Sequence, residues 1–329
     1  MSCLQDYPYT SVLYSELNGE SGTIVITVIA CILSLFTLLI FLEEVWFFYK
    51  HHDDKKTRPK ILCLLAVYPI ISCNSLLSIM VPKATPIAEF LSALFLAFCI
   101  LQFINLVVDY FGGTKAMLHA FEEDTVSFRT PPCCCCCFCL THVKLTRKTL
   151  KIIKIMVMQL SFIRPGFLYV LSILHSDGRY HLDQSSDPTE TFLWLKILTV
   201  ISTIFAIYGL LVTVFAARRK LTTPRFMLKA GALKITLIVF DIQLSVLFLL
   251  ANFDRISCEG SRGSFVRASS IHNFMLVIET FLLAIIARFA YRFKEQQNTT
   301  PDNKELKGKS NFIDEPDTLE SNAYSCGKN

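Results

Sequence analysis

Six of the seven residues from Cys133 to Cys139 are cysteine. Cys133, Cys134, Cys135, Cys136 and Cys137 run unbroken, Phe138 intervenes, and Cys139 closes the string. Pro131 and Pro132 precede it, and Lys144, Arg147, Lys148 and Lys151 follow. Thiols set beside basic residues and between long apolar stretches are suited to S-acylation. Each C16 chain would add on the order of 10 kcal/mol of gross burial, at about 0.8 kcal/mol per CH₂. Several together would pin the loop to the cytoplasmic leaflet. Two other chemistries compete. Cys133, Cys136 and Cys139 have the x₂ spacing of zinc ligands, but no second cluster stands at finger spacing, and adjacent cysteines cannot all reach one tetrahedral ion. A reduced, unmodified cluster is the third reading. The expectation is lipidation of all six, with no metal and no cofactor.

A second group of reactive types lies inside apolar runs, where each ionisable residue costs roughly 2.5–3.5 kcal/mol on insertion scales. Arg164 stands directly before Pro165-Gly166, a pair that kinks or opens a helix. Asp241 follows Lys234 by seven residues on one helix face, and Glu279 follows His272 by seven. Gln102, Asn105 and Asp109 form a polar stripe at helical spacing, and Lys196, Thr199 and Thr203 form another. Two readings stay open. Arg164, Lys234, Asp241 and Glu279 are two bases and two acids that could neutralise one another as structural pairs. Alternatively, part of this set, with Gln102 and Asn105, lines a polar path for an amphipathic solute. Polar stripes such as Gln102/Asn105 more often hydrogen-bond between helices.

The elements that carry these residues are membrane spans. The chain is 53% hydrophobic and 18% charged, with a mean hydropathy of +0.47, which excludes an ordinary soluble domain. The net charge of +5 is dispersed among short loops and is no nucleic-acid signature. Seven apolar runs long enough to span are Ile24–Leu42, Ile61–Val81, Ile87–Val108, Ile152–Leu174, Phe192–Ala217, Ala230–Ala251 and Ile271–Ala290. The fold class is therefore all-α, a polytopic seven-helix membrane protein. Alternate connecting segments carry 22 and five Lys and Arg residues, so the positive-inside rule puts the N-terminus outside and the C-terminus in the cytosol. Trp46, Phe47, Phe48 and Tyr49 then mark the cytoplasmic interface of a first helix continuing past Leu42.

This organisation gives an extracellular N-tail at 1–23, a seven-helix domain at 24–293 and a disordered cytosolic tail at 294–329. The cysteine-rich loop at 109–151 falls in the cytosol, where acylation occurs. Cys3 and Cys258 fall outside, where they are a candidate disulfide pair. The sequon at Asn298 lands in the tail and goes unused.

Seven spans first suggest a G-protein-coupled receptor, but Asp109-Tyr110-Phe111 lacks the receptor arginine and the seventh span has no Asn-Pro pair. No Asp-His-His-Cys, His-Glu-x-x-His or Gly-x-Ser-x-Gly pattern supports an enzyme. Five motifs, in order, resemble the organic solute transporter alpha-subunit family. They are Phe41-Leu42-Glu43-Glu44 running to Tyr49-Lys50, Phe111-Gly112-Gly113, and Pro132 with the cysteine string and Leu145-Thr146-Arg147-Lys148. Glu279-Thr280-Phe281-Leu282 and the Arg288…Tyr291-Arg292 end complete the set. The resemblance covers about residues 24 to 293. It implies a facilitative carrier of bile acids, conjugated steroids and related amphipathic anions, embedded among membrane lipids. It also implies a single-span beta-subunit partner and a basolateral plasma-membrane location, with the endoplasmic reticulum occupied before assembly. Asp241 and Lys234 depart from the family pattern. An orphan receptor or scaffold of the same superfamily is the alternative.

Overall fold

The computed structural model describes residues 7–17, 21–52, 54–121, 125–127, 142–144, 146–177, 191–221, 225–253, 255–258 and 262–292. The chain divides into two units, Met1–Phe293 and Lys294–Asn329. The second unit, the cysteine string and Cys3 lie outside the described residues.

Seven helical spans build the first unit: α2 (Ser21–His51), α3 (Arg58–Met80), α4 (Thr85–Tyr110), α6 (Arg147–Met158) with α7 (Leu160–Ser176), α8 (Thr191–Lys220), α9 (Phe226–Ile238) with α10 (Leu244–Asn252), and α11 (Ser264–Tyr291). Short helices α1 (Thr10–Leu17) and α5 (Thr114–Ala120) flank them. The architecture is all-helical apart from a small antiparallel ribbon, β1 (Thr125–Ser127) with β2 (His142–Lys144), in the cysteine-rich loop. As the aromatic run implied, α2 continues past Leu42 to His51.

Helix ends follow from local chemistry. Prolines in the first turns of α3 and α4 sit where a helix has no use for the missing N–H. The end of α4 explains the Gly-Gly motif. Gly112 and Gly113 have φ of +83° and +111°, and their N–H groups bond Asp109 O and Val108 O at 2.9 and 3.0 Å. Glycine reaches this left-handed conformation without steric penalty and so closes the helix.

Two spans depart from a single regular helix. The fourth has a joint at Gln159, between α6 and α7, through which helical bonding continues (Gln159 N–H to Ile155 O at 3.0 Å, Ile163 N–H to Gln159 O at 2.9 Å), and α7 carries Pro165 inside it without ending there. The sixth contains a π-helical turn, Val239–Gln243, that carries Asp241.

The core centres on α4, which buries Ile100, Phe103, Ile104 and Leu106 against α3, α7 and α8. Small residues let other helices approach closely. A Cβ on Gly209 would stand 3.1 Å from Val157 Cγ2, so glycine is what allows α8 to press against α6. α2 is the opposite case. It packs on α3 and α11 and exposes Ile32, Leu35 and Leu39, an apolar face suited to lipid.

Candidate functional site

The polar residues at membrane depth resolve into separate groups. Arg164, on α7, forms an ion pair with Asp241 in the π turn, and both side chains are buried. Thr203 of α8 donates to Asp241 Oδ2 at 3.1 Å, and the guanidinium carbon stands 4.3 Å from the Phe240 ring centre. The fourth and sixth spans therefore meet at one depth, through one charge pair. The π turn registers Asp241 toward α7 and α8, which a regular helix from Phe226 would aim differently.

Glu279 lies apart from that pair. Its Oε1 accepts from Gln243 Nε2 at 3.1 Å, and the same amide nitrogen lies 3.4 Å from Met275 Sδ. No described residue makes an ion pair with Lys234. Asn105 accepts from Lys154 Nζ at 3.2 Å, which ties α4 to α6, while Gln102 is half-buried on α4. The expected set is thus dispersed. Arg164 and Asp241 come together, Glu279 has an amide partner, and Lys234, Gln102 and Asn105 join neither.

At the end where α2 finishes, a network escaped notice as chemistry because its members read as family motifs. Arg292 Nε donates to Glu44 Oε1 at 2.7 Å, Arg288 Nε stands 3.6 Å from the same oxygen, and both arginines pair with Glu43. Nearby, Lys229 is buried at 2% exposure between the Tyr110 and Tyr291 rings, 5.3 and 5.1 Å from their centres. Hydropathy alone sets Lys229 just outside the apolar run Ala230–Ala251. Asp109 ends its stripe bonded to Lys56 at 2.9 Å and to Lys60. That carboxylate holds the Lys56 ammonium pKa above its ordinary value.

At the opposite end, α1, α2, α3 and α11 enclose a groove of about 700 Å³. Its walls include Ile24, Val28, Met80, Ile271 and Phe274, and Arg262 and Arg267 are its charged residues. No hydrophobic period marks such a groove, because it forms between spans distant in sequence. Among the described residues, no group of three His, Cys, Asp or Glu side chains could hold a metal. Cys258 is disulfide-bonded, and the other described cysteines, Cys31, Cys63, Cys73 and Cys99, are free.

A family model described as Organic solute transporter Ostalpha matches residues 26–296, from within α2 past the end of α11, with both ends of the Glu43/Glu44–Arg288/Arg292 network. The chain belongs to this family. Similar Ostalpha relatives include the organic solute transporter subunit alpha of Danio rerio, 27% identical over 93% of this chain and 92% of the relative. The Homo sapiens protein of that name is 28% identical over 90% and 86% of the two chains. An organic solute transporter alpha-like protein of Drosophila melanogaster is 28% identical over 92% and 89%. No solved structure matches. These Ostalpha relatives are named as transporters rather than enzymes, and seven apolar helices make the chain a multi-pass membrane protein.

Proposed function

We propose that this chain is the alpha subunit of a heteromeric facilitative carrier for bile acids, conjugated steroids and related amphipathic anions. Its N-terminus lies outside and its C-terminus in the cytosol, and it works at the plasma membrane, basolateral in epithelia, with a single-span beta subunit. The observation that carries the reading is the match of the Ostalpha family model to residues 26–296, beside which the fourth and sixth spans meet at membrane depth through the buried pair Arg164 and Asp241. Irregular turns inside a bilayer are tolerated where protein or a cavity satisfies their backbone, and many carriers build solute sites at such turns. Arg164, neutralised by Asp241, acts here as a structural tie between the fourth and sixth spans.

The positive-inside count supports the orientation, and membership of the Ostalpha family supports solute transport. The test is uptake of labelled taurocholate and estrone sulfate by cells expressing this chain with and without a beta subunit. Saturable uptake that requires both chains is expected. Surface-delivered complexes with uptake no higher than in untransfected cells would refute the reading in favour of a receptor or scaffold.

A further inference from the structure

We infer that Glu279 is a proton-binding site inside the bilayer, held as the neutral carboxylic acid against the Gln243 amide. The inference stands apart from the transport reading, since it needs no solute and no partner subunit. Glu279 lies at the middle of α11, and Gln243 closes the π turn of the sixth span. Gln243 Nε2 donates to Glu279 Oε1 at 3.1 Å and meets Met275 Sδ at 3.4 Å. The other oxygen of each group, Gln243 Oε1 and Glu279 Oε2, is buried and has no hydrogen-bond partner among the described residues. Two acceptors cannot satisfy each other. One proton changes that: it adds to Glu279 Oε2 from water, forms an O–H bond and turns an acceptor into a donor. In the acid–amide pair this O–H serves Gln243 Oε1, while the amide N–H keeps Glu279 Oε1. Each oxygen thereby regains the bond that burial took from it.

The surrounding charges point the same way. A glutamate in water is ionised at neutral pH, but an ionised carboxylate inside a bilayer needs a cation beside it. Among the described residues Glu279 makes no ion pair, and Gln243 is its hydrogen-bond partner. On the elements packed against α11, Asp241 of the π turn is paired with Arg164, and Glu43 and Glu44 of α2 with Arg288 and Arg292. Lys229 of α9 is held between the rings of Tyr110 and Tyr291. Lys234 stands two turns before Asp241, and His272 two turns before Glu279 on α11 itself; neither bonds Glu279. α10 carries no titratable residue. Tyr68 and the thiols of α2 and α3 are ordinarily uncharged at neutral pH. With no cation to balance it, the carboxyl takes up a proton. A metal ion fits less well, because hard cations collect about six oxygen ligands and the acid–amide pair supplies two.

The π turn gives the site its geometry. Asp241 faces α7 and α8, where it meets Arg164 and Thr203, and Gln243, two residues on, meets α11. The sixth span is thereby joined to the fourth by a charge pair and to the seventh by a neutral pair. Loss of the proton leaves Gln243 Oε1 without a donor and adds an unbalanced charge at membrane depth. The proton is what closes the second tie.

The experiment is infrared difference spectroscopy of the full-length chain in phosphatidylcholine nanodiscs at neutral pH, wild type minus Glu279→Gln. The difference should contain the C=O band of about one carboxylic acid per chain, shifted when H₂O is exchanged for D₂O. A carboxylate band in its place overturns the proposal. Gln243→Leu should move the acid band to higher frequency, because the acid C=O loses its amide donor, and this reading stands even if Glu279→Gln fails to fold. An unmoved band in Gln243→Leu overturns the acid–amide pair. An acid band in choline chloride that gives way to a carboxylate band in sodium or potassium chloride assigns an alkali cation and overturns the proton. Thermal unfolding supplies a second measurement. Glu279→Gln, neutral and nearly isosteric, should melt within about 2 °C of the wild type, and Glu279→Ala about 2–4 °C lower. A Glu279→Gln chain that melts as low as Glu279→Ala shows a carboxyl held by its charge, against the inference.

Discussion

Arg292 Nε donates to Glu44 Oε1 at 2.7 Å, although 248 positions separate the two residues. Arg292 also bonds Glu43 and lies 4.5 Å from the Phe47 ring centre, so one side chain engages three residues of α2. The contact ties the first span to the last. Glu44 is 1% exposed in its side chain, and a carboxylate buried that deeply requires its cation.

Glu44→Ala should therefore loosen the clamp, but because Arg288 and Arg292 are 34% and 26% exposed and keep Glu43, the loss should be about 1–2 kcal/mol. The reversed pair, Glu44→Arg with Arg292→Glu, should recover part of the loss. Thermal unfolding of the purified chain and its surface level report this. Single variants that melt with the wild type would show that the clamp contributes nothing.

Arg164→Ala strands Asp241 in the membrane interior and should reduce folding and surface delivery, by about 3–5 kcal/mol where unfolding is measurable. Adding Asp241→Ala should restore much of it, because no unpaired charge then remains. Normal surface delivery of Arg164→Ala, with selective loss of uptake for charged solutes, would instead make Arg164 a substrate contact.

Gly209→Val should push α8 off α6, since the first added carbon already stands 3.1 Å from Val157 Cγ2 and 3.4 Å from Ile153 O. A loss of about 1–3 kcal/mol is expected from overpacking. Val157→Ala in the same chain should relieve part of it. A Gly209→Val chain with unchanged melting would mean that the interface yields without penalty.

Replacing Cys133, Cys134, Cys135, Cys136, Cys137 and Cys139 with serine should abolish hydroxylamine-sensitive acyl exchange. Full labelling of the replaced chain would move the lipid elsewhere, for instance to Cys326. Absence of labelling in the wild type would revive the zinc reading, which metal analysis of the purified protein decides.

An N-terminal tag should bind antibody on intact cells and a C-terminal tag only after permeabilisation. Both tags on one face would require an even number of spans and would overturn the orientation.

Seven spans and the extension of α2 past Leu42 were legible in the sequence, because a bilayer demands a long run of apolar residues and penalises each buried charge locally. Pro165-Gly166, read as a pair that kinks or opens the fourth span, instead lies inside α7, which runs from Leu160 to Ser176 through it. The Gly112-Gly113 pair stood out as a motif, and its backbone geometry supplied the reason. Pairings were another matter. The sequence presented Arg164, Lys234, Asp241 and Glu279 as two bases and two acids inside apolar runs, with nothing to say which meets which. Only the packing of α7, α8 and the π turn decided that Arg164 meets Asp241 while Glu279 meets Gln243. Glu43 and Glu44, read as part of a motif, became a clamp only when α11 was laid beside α2. The groove with Arg262 and Arg267 had no sequence signal, because it is a gap bounded by residues from both ends of the chain. Hydropathy sums over neighbours in sequence, whereas charge pairing and cavity shape depend on neighbours in space.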